Sequence, residues 1–292
     1  MSFHEKTKDL NQFLMSAHTD TPLEQLPLNQ GVHILAHNED GLLALEKPSG
    51  AMSHPNTPKD KKSSLLVADY DLEKECYHWT DECGQLHHAW LINRLDSPTS
   101  GVILLGLNSE ISATIKAEFA SHKVTKVYYA LVKGKPKLPA GSWEDHLKKD
   151  VHRGKRLFKK GQVISAKTRY KVIKSPTGGF PVTLLKLMPL TGRTHQLRVQ
   201  CKKHGLPIVG DRTYGSFSFN REVTHYTENK RMMLHSAETK VRYYYKGKVR
   251  DFVANSELPE HFDVVMGFRP GLNIHRPKPK RGDVLQGRRF KA

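Results

Sequence analysis

The chain has 292 residues, and its 47 Lys and Arg residues against 29 Asp and Glu give a formal net charge of +18. Such a length allows one large domain or two small ones, and so large a positive excess favours polyanionic partners, nucleic acid before acidic membranes. The three scattered cysteines do not fit a disulfide framework and indicate a reducing, cytoplasmic compartment, while no apolar run approaches the ~20 residues of a membrane-spanning helix.

The N-terminal residues 1–30 are polar and contain two prolines near their end, so they predict an arm rather than a secretory signal or a membrane anchor. Two apolar runs then flank the turn-like residues 38–41, and this pattern predicts a hairpin at the start of a main domain over residues 31–270. Residues 51–88 are rich in Pro, Lys, Asp and His, and predict irregular structure with one short helix over residues 64–72.

The rest of the main domain alternates short apolar runs with amphipathic stretches. The predicted strands are residues 101–107, 126–132, 164–173, 182–187 and a pair over 243–253 that turns at Lys246-Gly247, and the predicted helices are residues 109–122 and 194–203. Many strands with a few interspersed helices predict an α+β domain on a mostly antiparallel or mixed sheet. The last residues, 271–292, are basic and rich in Pro and Gly, and predict a disordered tail.

A carboxylate and an arginine lie two residues apart, at Asp96 and Arg94, in a turn-rich stretch before the strand predicted at residues 101–107. A rigid scaffold presents a reactive group on a loop in this way. An Arg-x-Asp pair beside a turn is also typical of a surface ion pair or a turn cap. This stretch alone leaves both interpretations open.

A second polar cluster follows the turn Thr191-Gly192, at the start of the helix predicted over residues 194–203. Its members are Arg193, Thr194, His195, Gln196 and Arg198. Polar and cationic side chains at a helix N-terminus suit an anion or a buried carboxylate. A capped, solvated basic helix is the alternative interpretation.

Together these stretches resemble the motifs of the RluA family of pseudouridine synthases. Five motifs occur in family order: Glu46-Lys-Pro-Ser-Gly50, Asn93-Arg-Leu-Asp-Ser-Pro-Thr-Ser-Gly101, Lys126-Val-Tyr128, Gly192-Arg-Thr-His-Gln-Leu-Arg198, and Pro207-Ile-Val-Gly-Asp211 with Tyr214-Gly215. The resemblance implies the pseudouridine synthase fold, a mostly antiparallel or mixed, bent β-sheet flanked by helices and loops around a central active-site cleft. It also implies an isomerase that needs no metal or cofactor and acts on rRNA or tRNA. The residues after Asp96 are most similar to the tRNA-modifying, TruC-like branch.

The resemblance also implies roles for single residues. Asp96 would be the catalytic carboxylate, which drives cleavage of the glycosidic bond, rotation of the base and carbon–carbon rejoining. Arg94, Tyr128 and Leu197 would bind the flipped-out nucleotide, with Tyr128 stacking on the uracil. For Tyr128 and Leu197, an ordinary core position is the alternative.

An arginine beside such a carboxylate keeps it ionised and fixes its orientation. Arg198 is the expected partner of Asp96, and Arg193 is an alternative partner or a phosphate ligand. The sequence departs from the family pattern at Asn93, where His is usual, and at Ser97, where many members carry a basic residue. We expect Asn93 to alter the support of the turn without removing the chemistry.

Positive charge is concentrated over residues 148–174, with Phe158 and Tyr170 interleaved. This pattern predicts part of an RNA-binding face, and a solvated strand edge protected by lysines is the alternative. RNA is the expected partner of a monomeric chain, with no membrane and no protein partner. The competing functional hypothesis is a non-catalytic RNA-binding protein or RNA chaperone that keeps the fold.

Several possible zinc ligands cluster in one stretch, at Cys76, His78, Cys83, His87 and His88. The C-x-x-C spacing of ordinary zinc modules is missing from it. Buried thiols and solvated histidines are therefore the favoured interpretation, and no metal is expected.

Overall fold

The computed structural model describes residues 23–148 and 163–271, and twelve strands and four α-helices occur among them. The strands are β1 (His33–His37), β2 (Leu42–Lys47), β3 (Asp69–Asp71), β4 (Cys76–Thr80), β5 (Leu86–Leu91), β6 (Ser100–Gly106), β7 (Thr125–Lys133), β8 (Ala140–Lys148), β9 (Val163–Lys174), β10 (Val182–Pro189), β11 (Leu234–Tyr245) and β12 (Lys248–Asn255). The helices are α1 (Ser109–Ala120), α2 (Gln196–Lys203), α3 (Phe217–Thr227) and α4 (His261–Gly267), with short 3-10 helices at Leu23–Gln25 and Pro58–Ser63. None of the described helices is long and apolar enough to cross a membrane.

All described strands belong to one mixed sheet, with the order β3-β4-β5-β6-β11-β7-β10-β9-β8. Strand β2 also pairs with β6 and β1, and β12 pairs with β11. Each named pairing is antiparallel except that of β6 with β11. At this junction a Cβ atom on Gly101 would lie 2.1 Å from the Ser236 carbonyl oxygen, so only glycine allows the two halves of the sheet to join. The predicted α+β class and mixed sheet are confirmed.

The hydrophobic core lies on both sides of the central strand β6, which is buried along its whole length. Alternate residues of a strand point to opposite faces. Ile103 and Leu105 accordingly join one cluster of buried side chains, whereas Val102 and Leu104 join another. A third cluster occupies the other half of the sheet, and Tyr128 of β7 packs against both it and the cluster of Ile103. Tyr128 therefore lies where the two halves of the domain meet.

Most of the predicted elements are present close to their predicted positions. The hairpin around residues 38–41 is β1–β2, and the hairpin that turns at Lys246-Gly247 is β11–β12. The other confirmed elements are β6, α1, β7, β9, β10 and α2. The order of strands in the sheet was not predicted, since it depends on contacts between distant segments.

The prediction of irregular structure over residues 51–88 is correct up to residue 68, where the structure has one short 3-10 helix, and wrong after it. This region contains β3 and the hairpin β4–β5, whose turn is closed by backbone amides that donate to the Asp81 carboxylate. The helix predicted over residues 64–72 is absent, because the backbone of Leu65 and Leu66 bonds to residues 29 and 28 instead of within a helix. Both leucine side chains are fully buried.

The end of the predicted N-terminal arm packs against the main domain. Leu26 is buried, Leu28 bridges to Leu66, and the Asn29 side-chain amide donates to the Lys62 and Ser64 carbonyl oxygens. The folded body therefore begins several residues before position 31. The rest of the arm, residues 149–162 of the basic segment and residues 272–292 of the tail lie outside the described residues.

A buried histidine at the β6–β11 junction makes the stability of the fold depend on pH. His235 is fully buried between the hydroxyls of Ser100 and Ser256, at 2.9 and 3.0 Å, and burial lowers its pKa to about 4. An unfolded chain has an ordinary histidine pKa of about 6.5, so it binds more protons than the folded chain as the pH falls from 6.5 to 4. The contribution of neutral His235 to the free energy of unfolding is therefore complete above pH 6.5, and it is lost progressively as the pH falls from 6.5 to 4.

We expect His235→Gln to remove about 2.5 kcal/mol of the stability difference between pH 7.5 and pH 4.5. Urea unfolding of both proteins at the two pH values measures this difference. Equal losses of unfolding free energy in the wild-type protein and the variant would contradict it.

Candidate active site

A cleft of about 690 Å³ opens where the loop after β5, strand β7 and the segment before α2 meet. Its walls contain all six site residues predicted from the sequence, which are Arg94, Asp96, Tyr128, Arg193, Leu197 and Arg198. The motifs that carry these residues are up to 104 positions apart in the chain, but the fold places all of them around one cleft.

The loop that carries Asp96 is held by hydrogen bonds on both sides. The Thr99 amide donates to the Asp96 carbonyl oxygen at 2.9 Å and closes a turn. The Ser53 hydroxyl donates to the Leu95 carbonyl oxygen at 2.8 Å and accepts from the Leu95 amide at 3.0 Å. Asn93, the departure from the family pattern, accepts from the Leu104 amide at 2.8 Å through its side-chain oxygen. This bond ties the start of the loop to β6, as a support of the turn would require.

A buried lysine also holds the loop that carries Asp96. The Lys47 ammonium is fully buried and donates to the carbonyl oxygens of Pro48, Ala51 and Ser97, at 3.1, 2.5 and 2.9 Å. Burial lowers the pKa of Lys47 to about 7. Three carbonyl acceptors need three N–H donors, so this geometry belongs to the protonated amine. The early motif Glu46-Lys-Pro-Ser-Gly50 thus supports the Asp96 loop, a role that sequence reasoning missed.

Arg198 of α2 pairs with two carboxylates at once, those of Asp96 and Asp211, and we call this arrangement the Arg198 clamp. Its Nη1 donates to Asp96 Oδ2 at 3.0 Å, while Nε and Nη2 donate to Asp211 Oδ2 and Oδ1 at 2.7 and 2.9 Å. Asp211 also accepts from the amides of Thr213 and Tyr214, at 2.8 and 2.9 Å. Burial opposes the charge of Asp211, but these hydrogen bonds outweigh it and lower its pKa. The pairing of Arg198 with Asp96 is the one expected from the sequence.

His195 provides a further contact to Asp96. Its Nε2 lies 3.7 Å from Asp96 Oδ1, and its Nδ1 lies 3.1 Å from the Tyr214 hydroxyl. The residue has a left-handed backbone, with φ of +53°, and helix α2 begins only at Gln196. This turn of the chain points both His195 and Arg198 towards one carboxylate. The sequence showed His195 only as one of several polar residues.

Arg193 lies in the cleft wall but belongs to a different network. Its Nε donates to the Ser165 carbonyl oxygen at 3.1 Å. Among the described residues, Arg198 and His195 are the groups paired with the Asp96 carboxylate. The expectation that remains for Arg193 is a contact with phosphate.

The β7 motif contributes two side chains to the cleft from one face of the strand. Tyr128 and Lys126 both line the cleft, as residues two apart on a strand must when they share a face. Burial raises the pKa of Tyr128 to about 12, so its hydroxyl stays protonated near neutral pH, and burial lowers the pKa of Lys126. Leu197 is buried in the wall, whereas Arg94 is exposed.

The charges of the cleft are unequal. Asp96 is the one carboxylate among the described residues that line it, whereas Arg94, Lys126, Arg193 and Arg198 are cations. The excess of cations attracts an anionic substrate into the cleft that contains Asp96.

The residues considered for zinc are separated by burial and pairing. Cys76 is buried, and burial raises its pKa to about 12, whereas Cys83 is exposed in the β4–β5 turn. His87 pairs with Asp81 at 2.8 Å. Over residues 23–148 and 163–271, no three His, Cys, Asp or Glu side chains are grouped to hold a metal ion.

Comparison with known proteins agrees with the motifs. The family model for RNA pseudouridylate synthase matches residues 41–203. The tRNA pseudouridine synthase C of Haemophilus ducreyi is 34% identical over 69% of this chain and 82% of that protein, and the ribosomal large subunit pseudouridine synthase D of Borreliella burgdorferi is 29% identical over 82% and 69%. The structure of human RNA pseudouridylate synthase domain containing 1, 23% identical, has the same fold, with a TM-score of 0.58 over 81% of this chain and 88% of that chain. Since the family model spans more than half of the sequence, the chain belongs to the RluA family of RNA pseudouridine synthases, as its motifs predicted.

Proposed function

We propose that the cleft converts one uridine of a structured tRNA to pseudouridine, with Asp96 as the catalytic carboxylate. As a member of its family the chain is an RNA pseudouridine synthase, an isomerase whose substrates are tRNA or rRNA. The choice of tRNA is supported by the residues that follow Asp96 and by the similarity to tRNA pseudouridine synthase C of several bacteria, at 29–34% identity.

The observation that carries the proposal is the set of groups around the Asp96 carboxylate. Asp96 is the one carboxylate among the described residues of the cleft, and it lies 3.0 Å from an arginine that is 6% exposed. Desolvating an arginine is costly unless its partners hold it in good geometry. A clamp of this kind is expected where the orientation of one carboxylate decides the chemistry.

The reaction needs one reactive group and precise positioning. The N1–C1′ bond breaks, the uracil rotates, C5 bonds to C1′, and the C5 proton is released while N1 gains a proton. Asp96 has three routes open to it: attack on C1′, attack on C6, or abstraction of the 2′ proton. Arg198 fixes the direction of its carboxylate in each of them.

A folded RNA must expose its target nucleotide, and flipping it out costs a few kcal/mol. We propose that Arg94 fills the vacated space or holds the flipped nucleotide, that Tyr128 stacks on the uracil, and that Leu197 packs against it. Stacking of a base on an aromatic ring contributes ~1–3 kcal/mol. Arg193 is proposed to contact a phosphate.

The non-catalytic alternative is not favoured. A protein that only binds RNA needs cations at the surface, and it gains nothing from a carboxylate held against a buried arginine in the same cleft.

We propose further that a single copy of the chain is sufficient, because its own residues line every wall of the cleft that is described. We also propose that it works in the cytoplasm, where its three free thiols remain reduced.

Replacing the stacking ring is expected to weaken catalysis. Tyr128→Leu keeps an apolar side chain but removes the aromatic face, so kcat/KM should fall by roughly 10- to 100-fold. Single-turnover conversion of uridine in tRNA measures this loss.

Tyr129→Leu is the matched control, since it removes the same ring from the neighbouring residue on the opposite face of β7. It should lower the melting temperature without a comparable loss of activity. Equal activity losses in the two variants would reduce Tyr128 to a structural residue.

The proposed function is tested with purified protein and RNA labelled with tritium at uracil C5. Formation of pseudouridine releases this label to water. Release from bulk tRNA supports the proposal, release from rRNA alone would replace its substrate, and release from neither would contradict it.

A further inference from the structure

A second depression lies outside the catalytic cleft, beside helix α3. It has a volume of about 510 Å³, within the range of ordinary ligand sites. Arg212 precedes the helix, Arg221 and His225 lie on it, and Lys230 follows it, and all four of these side chains are exposed. The depression is thus surrounded by groups that attract an anion.

These cations are available for a ligand. Among the described residues, no carboxylate forms an ion pair with Arg212, Arg221 or Lys230. Glu222 and Glu228 occur in the same stretch of sequence, but neither lines the depression. Several unpaired cations around one concave surface produce a positive potential that an oligoanion would neutralise.

An exposed aromatic ring completes the depression. Phe217, the first residue of α3, is 56% exposed, although a phenylalanine normally gains stability by burial. Cationic groups interleaved with an exposed ring are the combination that single-stranded nucleic acid requires, since the backbone meets the charges and a base stacks on the ring. A free phosphate would not need the ring.

The depression shares a turn of the chain with the Arg198 clamp. Asp211, which binds Arg198, lies between Gly210 and Arg212, and both of these neighbours line the depression. The Asn220 side chain of α3 accepts from the Gly210 amide and donates to the Asp211 carbonyl oxygen, each at 2.9 Å. The turn that anchors Arg198 through Asp211 therefore also forms part of the depression.

We propose that this depression is a second RNA-binding site, which holds two or more phosphates and one unpaired base in a strand flanking the target nucleotide. The site rests on the proposed action on RNA but uses none of the residues that act on the target uridine. It adds affinity for single-stranded RNA next to the modified position and leaves the chemical step to Asp96.

The test measures binding of fluorescently labelled mixed tRNA to the full chain at several salt concentrations. The variant R221E/K230E should raise Kd roughly tenfold or more, and it should lower the slope of log Kd against log salt by about 1.5, since two phosphate contacts are lost. Phe217→Ala should raise Kd roughly fivefold with an unchanged salt slope, because it removes stacking and no charge. Phe217→Trp should restore binding.

The matched control is K240E/K248E, which changes the net charge equally at exposed positions of β11 and β12. If the control weakens binding as much as R221E/K230E, or if R221E/K230E binds like the wild-type protein, the site is refuted. Circular dichroism identifies a variant that fails to fold, and the exposed Phe217 variants then give the deciding result.

The proposed function is judged separately, by tritium release from the wild-type protein. Release by the wild-type protein with unaltered binding of the depression variants overturns the second site alone. Weakened binding of those variants with no release by the wild-type protein leaves the second site standing and overturns the proposed catalysis.

Discussion

Asp96→Asn is expected to lower the rate of pseudouridine formation by at least about a thousandfold. The amide has nearly the shape of the carboxylate, but it cannot act as a nucleophile or as a base. The variant should still fold, since the Asp96 side chain is 25% exposed and its amide oxygen can accept from Arg198. Tritium release from labelled tRNA under single-turnover conditions measures the loss.

Binding of mixed tRNA provides the control for this variant. Asp96→Asn should bind tRNA within about threefold of the wild-type Kd, because the cations of the cleft are unchanged. Ser97→Ala, at the adjacent, partly buried position of the same loop, should keep most of the activity, since it removes only a hydrogen bond to the Gly50 carbonyl oxygen. Retention of activity by Asp96→Asn would remove the basis of the proposed chemistry.

Arg198→Lys should lower activity about a hundredfold even though it keeps the positive charge. The guanidinium reaches Asp96 through one nitrogen and Asp211 through two others, and a single ammonium cannot hold both carboxylates in that geometry. The free energy of unfolding should also fall, by about 1–3 kcal/mol, since Asp211 is fully buried and loses part of its charge-assisted pairing. Single-turnover rates and urea unfolding measure the two effects.

Arg193→Lys is the matched control, because Arg193 lies five residues earlier in the same motif and bonds to the Ser165 carbonyl oxygen instead of Asp96. It should lower activity less than tenfold. A larger loss for Arg193→Lys than for Arg198→Lys would show that Arg193 is the more important partner.

Asp211→Asn separates positioning from charge, since Arg198 keeps Asp96 but loses its buried anchor, and activity should fall while tRNA binding is retained.

The residues of the site were accessible from sequence because they occur in short motifs with unusual side chains. Arg94, Asp96 and Arg198 are polar residues next to turn chemistry, and the resemblance connected them before any contact was known. Their pairing then follows from the fold, with Arg198 at 3.0 Å from Asp96.

The supporting residues were not accessible in the same way. Lys47 would normally be assigned to the surface, and only the convergence of three carbonyl oxygens explains its burial. Asp211 belongs to a recognised motif, but its bond to Arg198 depends on how the turn after α2 folds back. His195 depends on a left-handed backbone that no side-chain pattern revealed.

The missed secondary structure has a similar cause. The hairpin β4–β5 contains strand-forming residues such as Tyr77 and Trp90, but the surrounding His, Asp and Lys residues hid the alternation. Helix α3 contains Thr, His, Asn and Tyr, which have weak helical propensity, and it is stabilised by burial of Phe219 and Val223. Tertiary packing decided both elements.

The central claim is that Asp96 makes pseudouridine at a specific position in cellular tRNA. Its most direct measurement is carbodiimide mapping of pseudouridines in RNA from cells with the gene, without it, and complemented with the wild-type or Asp96→Asn gene. We expect one tRNA position to lose its pseudouridine without the gene, to regain it with the wild-type gene, and to remain uridine with Asp96→Asn. An identical map in all four strains, or restoration by Asp96→Asn, would contradict the claim.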